Sequence, residues 1–453
     1  MAWSEKHGTT WRVRYLKDDG TLGSENGYPD KDTADDRADE INTEQRRGTF
    51  TDPALGQTPV REWVDTWRDT LDVGEETRSM YESILRNHLL PRWGEVELAA
   101  ITRSAVRIWK NTLGTRYAVT TVTHITKLLS MILADAVDEG LITANPAAGR
   151  RRGRRSRVKR PAPVWAEPCE VLAVAERIRE LAGSNTYVMV LCAAYTGMRW
   201  GETTGLRWAN IDLVRGVITL HPETGSLHEI NGRCFLGPPK TAESAREIAI
   251  PPFLAALLET ERQHAANGLK TTSPNGTEQA VDGVVFTSPD GGWWRRSTFS
   301  RRYWRPAVYG DSRRAWAPLK PGLTFHGLRH SHNTWMIDDG IIDVARARRL
   351  GHHVPDKLQD VYGHVSDRLV RRIVKNMEKR WQRTWDQAHP ETPAIGSASR
   401  AKSSADATKA GKTKGKKKDK ATRKKDRLPE TAAGRPLGPA SRGHLRSTGY
   451  DAA

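Results

Sequence analysis

Three short clusters hold the residue types that handle phosphate esters. Thr196-Gly197-Met198-Arg199-Trp200-Gly201-Glu202 follows an apolar run and opens a new helical pattern, which puts Arg199 on a turn where a guanidinium can project into a groove. His326-Gly327-Leu328-Arg329-His330 spaces His326 and Arg329 three apart, on one face of a helix. Leu350-Gly351-His352 is followed ten residues later by Tyr362 in the run Asp360-Val361-Tyr362-Gly363-His364. Attack on a phosphodiester builds extra negative charge on a crowded phosphorane, and two bidentate guanidiniums can stabilise that charge without a metal. A free phenol titrates near ~10, so Tyr362 is a poor nucleophile until cations favour its phenolate or a base takes its proton.

Taken singly these residues are unremarkable. An arginine is more often a structural ion-pair partner and a tyrosine a half-buried aromatic, so the weight lies in the ordered combination. His326, His330, His332, His352, His353 and His364 also invite a metal reading, and 326 and 330 have ligand spacing on a helix. No cysteine or carboxylate completes such a set, so neither a metal nor a cofactor is expected. His352 is preferred to His353 because it directly follows Leu350-Gly351. His330 and His332 read as packing residues or as supports behind the groups that would touch the phosphate.

Arginine box, His-x-x-Arg, Gly-His and tyrosine, in that order, resemble the signature of the tyrosine recombinases, or phage integrases. Between the first two boxes, Pro239-Lys240-Thr241 with Ser244, Arg246 and the run Ile248 to Pro251 looks like the lysine motif of that family's β-hairpin. The motif-rich likeness covers about 190 to 366. Residues 58–146 resemble the family's core-binding domain more loosely, and 1–50 its arm-binding domain only weakly. The resemblance implies a catalytic set of Arg199, Lys240, His326, Arg329, His352 and Tyr362. In it Tyr362 is the nucleophile, His326 the base, and Lys240, at a hairpin tip, the acid that protonates the leaving 5′-oxygen. His352 adds a hydrogen bond to a non-bridging oxygen and Glu202 steadies the first arginine.

The implied activity is integration or excision of a phage or mobile element through a 3′-phosphotyrosyl intermediate. Its partners would be double-stranded DNA attachment sites, a homotetramer on synapsed DNA, an excisionase and a host DNA-bending factor. A type IB topoisomerase uses similar residues, but the helical segment 58–148 and the compact boxes speak against it. A catalytically silent DNA-binding regulator is disfavoured by the intact residue set.

Positioning these groups takes more than one module, because 453 residues exceed what one core organises. Trp11, Val13 and Tyr15 alternate with Arg12 and Arg14 as a strand, Asp19-Gly20 turns, and a second extended stretch ends near Tyr28. A helix follows with Ala34, Ala38 and Ile41 inside and Gly48 as its stop. Four helices fit 58–146: Val60, Trp63, Val64, Trp67 and Leu71 mark the first, Pro91 and Gly94 break the second, Thr102 caps the third, and Ile125 to Ala136 stripe the fourth. An apolar helix at 185–195, strands near 216–220 and 246–250, and further helices compose the largest part.

The expected architecture is therefore multidomain. A small α+β arm-type domain spans 1–52, an all-α core-binding domain 58–148 and a basic linker 149–160. A mixed α/β catalytic domain, mainly helical with a small antiparallel sheet, spans 161–389, and a disordered basic tail 390–453. The run 150–160 carries eight basic residues and no acid, which suits phosphate contact. Of the net charge of +18, residues 400–453 contribute +11, so the remainder is only moderately basic. Trp293-Trp294-Arg295-Arg296 interleaves aromatics with cations as nucleic-acid surfaces do. Three scattered cysteines point to a reducing compartment, and no apolar run is long enough to span a bilayer, so a cytoplasmic location without a membrane partner is expected. The stripe Leu369, Val370, Ile373, Val374, Met377, Trp381 and Trp385 reads equally as packing on its own domain or as a contact with a neighbouring protomer.

Overall fold

The computed structural model describes residues 1–17, 19–149, 162–267, 283–353 and 365–391. It is mostly helical with small antiparallel sheets, and its apolar side chains gather in separate cores. The first core lies between a three-stranded sheet, β1 (Trp3–His7), β2 (Thr10–Leu16) and β3 (Leu22–Tyr28), and one helix, α1 (Lys31–Arg47). Val13 and Tyr15 are fully buried against Ala34, Ala38 and Ile41, as the period-2 strand and 3.6-period helix require. Asp30 caps α1 by accepting from the Thr33 N–H, and Gly48 ends it in the left-handed region at φ 66°.

The second core belongs to α2 (Val60–Asp69), α3 (Glu75–Ile84), α4 (Leu90–Trp93), α5 (Arg103–Gly114) and α6 (Val119–Asp138). Trp63, Trp67, Trp93 and Trp109 fill it with Leu128, Leu129 and Ile132. Thr102 caps α5 as its position suggests, accepting from the Ala105 N–H. Pro91 does not break the second helix outright. A π turn at Leu85–Leu89 widens the ladder just upstream, and α4 continues to Gly94.

The third and largest core holds α7 (Pro168–Ala182), α8 (Ser184–Thr196), α9 (Trp200–Thr204) and α10 (Pro252–Asn267). After them come α11 (Arg296–Phe299), α12 (Arg305–Tyr309), α13 (Phe325–Asp338), α14 (Asp343–Leu350) and α15 (Asp367–Ala388). Every residue of α8 from Thr186 to Thr196 is buried, so this helix is the hub on which the site is mounted. Strands β4 (Ile211–Asp212), β5 (Val217–Leu220) and β8 (Arg246–Ala249) form one antiparallel sheet. A separate hairpin, β6 (Ser226–Ile230) and β7 (Arg233–Gly237), is inserted between β5 and β8. Its tip is Asn231-Gly232, both at positive φ. Lys240 is therefore not at a hairpin tip, because the extra hairpin takes that place; it sits on the connection from β7 to β8.

Two expectations change once burial is known. Trp293 and Trp294 are buried in apolar clusters and offer no stacking surface. The stripe of α15 packs inward, with Ile373, Met377, Trp381 and Trp385 in the core of their own chain. Among the described residues no helix is long and apolar enough to cross a membrane.

Candidate active site

Arg199 lies between α8 and α9, where Gly197 closes α8 in the left-handed region at φ 73°. A side chain is excluded at Gly197: a Cβ there would stand 2.6 Å from Leu350 and 2.9 Å from His332. The Arg199 guanidinium donates to Glu202 Oε1 at 2.6 Å, to Ser244 Oγ at 2.7 Å and to the Gly351 carbonyl at 3.0 Å. Three of its five N–H groups are thereby fixed among the described residues and two remain. Glu202 is buried, and its second oxygen accepts from the Arg199 backbone N–H at 3.0 Å and from Arg246 at 3.1 Å. Burial alone would raise this carboxyl, but the charge of Arg246 and the hydrogen bonds of Arg246 and Arg199 prevail and hold it below the usual range.

Arg329 is reached from α13, whose start is capped by Thr324. It is only 4% exposed and donates to the Gly197 carbonyl at 2.7 Å and to the Leu350 carbonyl. Burial first, and then the charge of Arg199, depresses its pKa from the ordinary guanidinium value. Arg246, on β8, donates to the Arg349 carbonyl at 2.7 Å. Three consecutive carbonyls at the end of α14, those of Arg349, Leu350 and Gly351, thus each accept from a different arginine: Arg246, Arg329 and Arg199. A helix C-terminus leaves carbonyls without intrahelical partners and carries partial negative charge, so it is a natural anchor for guanidiniums.

His326 is one turn before His330 on α13, with ring centroids 5.1 Å apart, and it keeps an exposed edge. Desolvation, then the charges of His330, Arg329, Arg296 and Arg199, brings its pKa down to about 4. His352, just past Gly351, is exposed, and burial of its inner face followed by Arg329 and Arg199 lowers its pKa as well. Lys240 is exposed. Its loop is tied to Arg199 through Thr241 and Ser244, whose hydroxyls lie 3.1 Å apart. Tyr362 lies outside the described residues, as do the whole basic run 150–160 and the tail from 392 onward.

The structure thus brings Arg199, Arg329, His326 and His352 together, with the Lys240 loop alongside. Within this set Arg199, Arg246 and Arg329 face a single interior carboxylate, Glu202, so the site is electropositive and histidines beside it resist protonation. Such a site is completed by an anion. Sequence reasoning passed over Ser244 and Arg246 as site-forming groups, and over Arg349 beneath them, whereas His332 is buried behind the site in the packing or supporting place expected of it. An open groove of about 960 Å³ is lined by Arg61, Arg68, Arg78 and Arg86 together with Glu75 and Glu82, with Asn231 at the hairpin tip; Arg68 is paired with Glu82 and Arg61 with Glu95, so its excess of positive charge is modest.

A mainly helical domain with this electropositive cluster is suited to holding a phosphate. Residues 169–369 match the phage integrase family. A prophage phiRv2 integrase of Mycobacterium tuberculosis is 28% identical over 321 residues, covering 66% of this chain and 74% of the relative. The integrase of Mycobacterium phage D29 is 25% identical over 308 residues, covering 67% and 74%. In fold, the Tn1549 transposon integrase bound to transposon right end DNA superposes with a TM-score of 0.54 at 18% identity, covering 71% of this chain and 99% of that one. Residues 169–369 thus carry a phage integrase domain, and the chain is similar to integrases over about two thirds of its length.

Proposed function

We propose that this protein is a site-specific DNA recombinase that cleaves and rejoins strands at attachment sites, with Tyr362 as its nucleophile. The observation that carries the reading is the convergence of Arg199 and Arg329 on the carbonyls around Gly197 and the end of α14, with N–H groups left over for a phosphate. The Tyr362 oxygen forms a bond to phosphorus as the bond to the sugar 5′-oxygen breaks. Arg199 and Arg329 stabilise the pentacovalent charge, and His352 adds a hydrogen bond to a non-bridging oxygen. His326 stays neutral before DNA binds, so it can take the tyrosine proton. The arriving phosphate offsets part of the cationic field and raises the basicity of this ring. Lys240, on an exposed loop tethered to Arg199, supplies the proton that lets the 5′-oxygen depart. The phosphotyrosyl ester retains the energy of the broken bond, so a 5′-hydroxyl of a second duplex can displace the tyrosine without ATP.

Residues 1–52 would bind arm-type DNA, 58–148 and 161–389 would close on the core site, the 149–160 linker would lie along phosphates, and the 390–453 tail would add nonspecific basic contacts. Homotetramers on synapsed DNA would carry out exchange, with an excisionase and a host DNA-bending factor setting its direction. The test uses a nicked duplex spanning the junction between the element that carries the gene and its host chromosome. Wild-type protein should yield a covalent protein–DNA adduct. Tyr362→Phe should yield none while binding the duplex as tightly, because affinity rests on phosphate contacts the hydroxyl does not make. A 3′-phosphotyrosyl adduct on any other tyrosine would overturn the assignment.

A further inference from the structure

Of the two buried arginines among the described residues, Arg329 and Arg349, the chemistry above uses only the first. Arg349, near the end of α14, is 7% exposed, and its partners among the described residues are all neutral. Its Nε donates to His332 Nε2 at 2.8 Å, and its terminal nitrogens donate to the Ala249 carbonyl at 2.9 Å and the Tyr195 carbonyl at 3.1 Å. His332 is fully buried, with Nδ1 3.0 Å from the Ala194 carbonyl. A carbonyl can only accept, so Nδ1 carries the proton and Nε2 offers its lone pair to Arg349. One guanidinium therefore joins α8, β8, α13 and α14, the four elements that carry or anchor Arg199, Arg246 and Arg329. The carbonyls of residues 349, 350 and 351, which hold those three arginines, are the backbone immediately attached to this side chain.

Burying a cation without a carboxylate is costly, and an apolar side chain of similar volume would fill the same space at lower cost. What the apolar side chain cannot supply is direction: three N–H bonds that fix the rotation and height of the end of α14 against α8 and β8. A carboxylate under Arg349 would supply direction too, but it would weaken the positive field above it. The neutral imidazole avoids that. We infer that Arg349, seated on His332, is a positioning residue that sets the two phosphate-binding guanidiniums at the height the phosphorane requires. The inference rests on the reading of Arg199 and Arg329 as phosphate donors.

The experiment compares wild type, Arg349→Met/His332→Phe, Arg349→Lys and Arg199→Ala on the nicked junction duplex, with a phosphodiester or an uncharged methylphosphonate at the scissile position. The double variant replaces the polar pair by an apolar one and should melt within a few degrees of wild type and bind DNA within about threefold. Its single-turnover cleavage of the phosphodiester should nonetheless fall by about tenfold or more, since small misplacements of preorganised donors are costly. On the methylphosphonate, which has less charge to stabilise, the deficit should shrink to within about threefold. Arg349→Lys keeps the charge but not the planar fork, and should show the same split, which keeps the test open if the double variant fails to fold. Wild-type cleavage by both variants would reduce Arg349 to a space-filler and overturn the inference alone, provided Arg199→Ala is impaired. Equal deficits on the two substrates would also overturn it, placing the effect away from the phosphate. An unimpaired Arg199→Ala would overturn the underlying reading and this inference with it.

Discussion

At the scale of single residues, the site is a set of cations whose mutual repulsion is contained by neutral acceptors and by Glu202. The same field sets a pH dependence. His332 is buried, and desolvation followed by the charge of Arg349 holds its pKa well below the ordinary value. The unfolded chain takes up that proton below about pH 6.5 while the folded chain refuses it, so this contribution to stability is whole above pH ~6.5 and is lost as pH falls. The loss reaches about 1.4 kcal/mol per pH unit for His332. His326, His330 and His352 have lowered values for related reasons and act in the same direction. Urea midpoints measured between about pH 7.5 and 5.5 should therefore decline, and more shallowly in His332→Phe. A midpoint that stays level across that range would show that the buried imidazole is not held neutral.

The elements explain which parts of this site were legible in the sequence. Arg199, His326, Arg329 and His352 stood out because each sits at a helix boundary or on one helical face at fixed spacing, where local sequence decides geometry. Arg349 did not, because Arg346-Ala347-Arg348-Arg349 reads as a solvated charge run; its spacing of four from buried Ala345 was the signal that one arginine turns inward. The β6–β7 hairpin was missed because its short, mixed strands alternate too weakly, which moved Lys240 to the wrong part of the loop. Trp293 and Trp294 misled in the opposite sense, since aromatic–cation interleaving does not report which side faces the core. The end of α14 shows how strictly the element is specified. Gly351 caps it at φ 64°, and a Cβ there would stand 2.9 Å from the Arg246 guanidinium and from the Ser244 backbone, and 3.0 Å from the Glu243 carbonyl. Gly351→Ala should thus cost about 1–3 kcal/mol in stability through backbone strain. It should also slow cleavage while DNA affinity holds, because the Gly351 carbonyl that orients Arg199 must move. Unchanged thermal unfolding and unchanged cleavage would show that the cap tolerates a side chain.

Across the whole molecule, charge is distributed unevenly between the segments that carry the candidate site and the C-terminal tail. The helical module meets the inserted hairpin through Glu76 with His228 at 3.0 Å and Ser79 with Asn231 at 3.1 Å, beside the groove of Arg61, Arg68, Arg78 and Arg86. These are exposed polar contacts, and contacts of this kind contribute little to holding two modules together. A duplex entering that groove would meet cations on the helical module and the site arginines on the catalytic module. Residues 400–453 contribute +11 of the +18 net charge, with 16 lysines and arginines against 5 acids, and none of the residues proposed for chemistry. Counterion release makes affinity for a polyanion fall with salt in proportion to the phosphates neutralised, at about 0.9 per phosphate on duplex DNA. Deleting 396–453 should consequently weaken binding to a random duplex and reduce the slope of log affinity against log salt by several units. Single-turnover cleavage of the junction duplex at saturating protein should stay within about threefold of wild type, because the donors at the phosphorus are untouched. The two readouts separate retention from chemistry: an unchanged salt slope would remove the tail from DNA binding, and a collapse of cleavage at saturation would place it in the reaction itself.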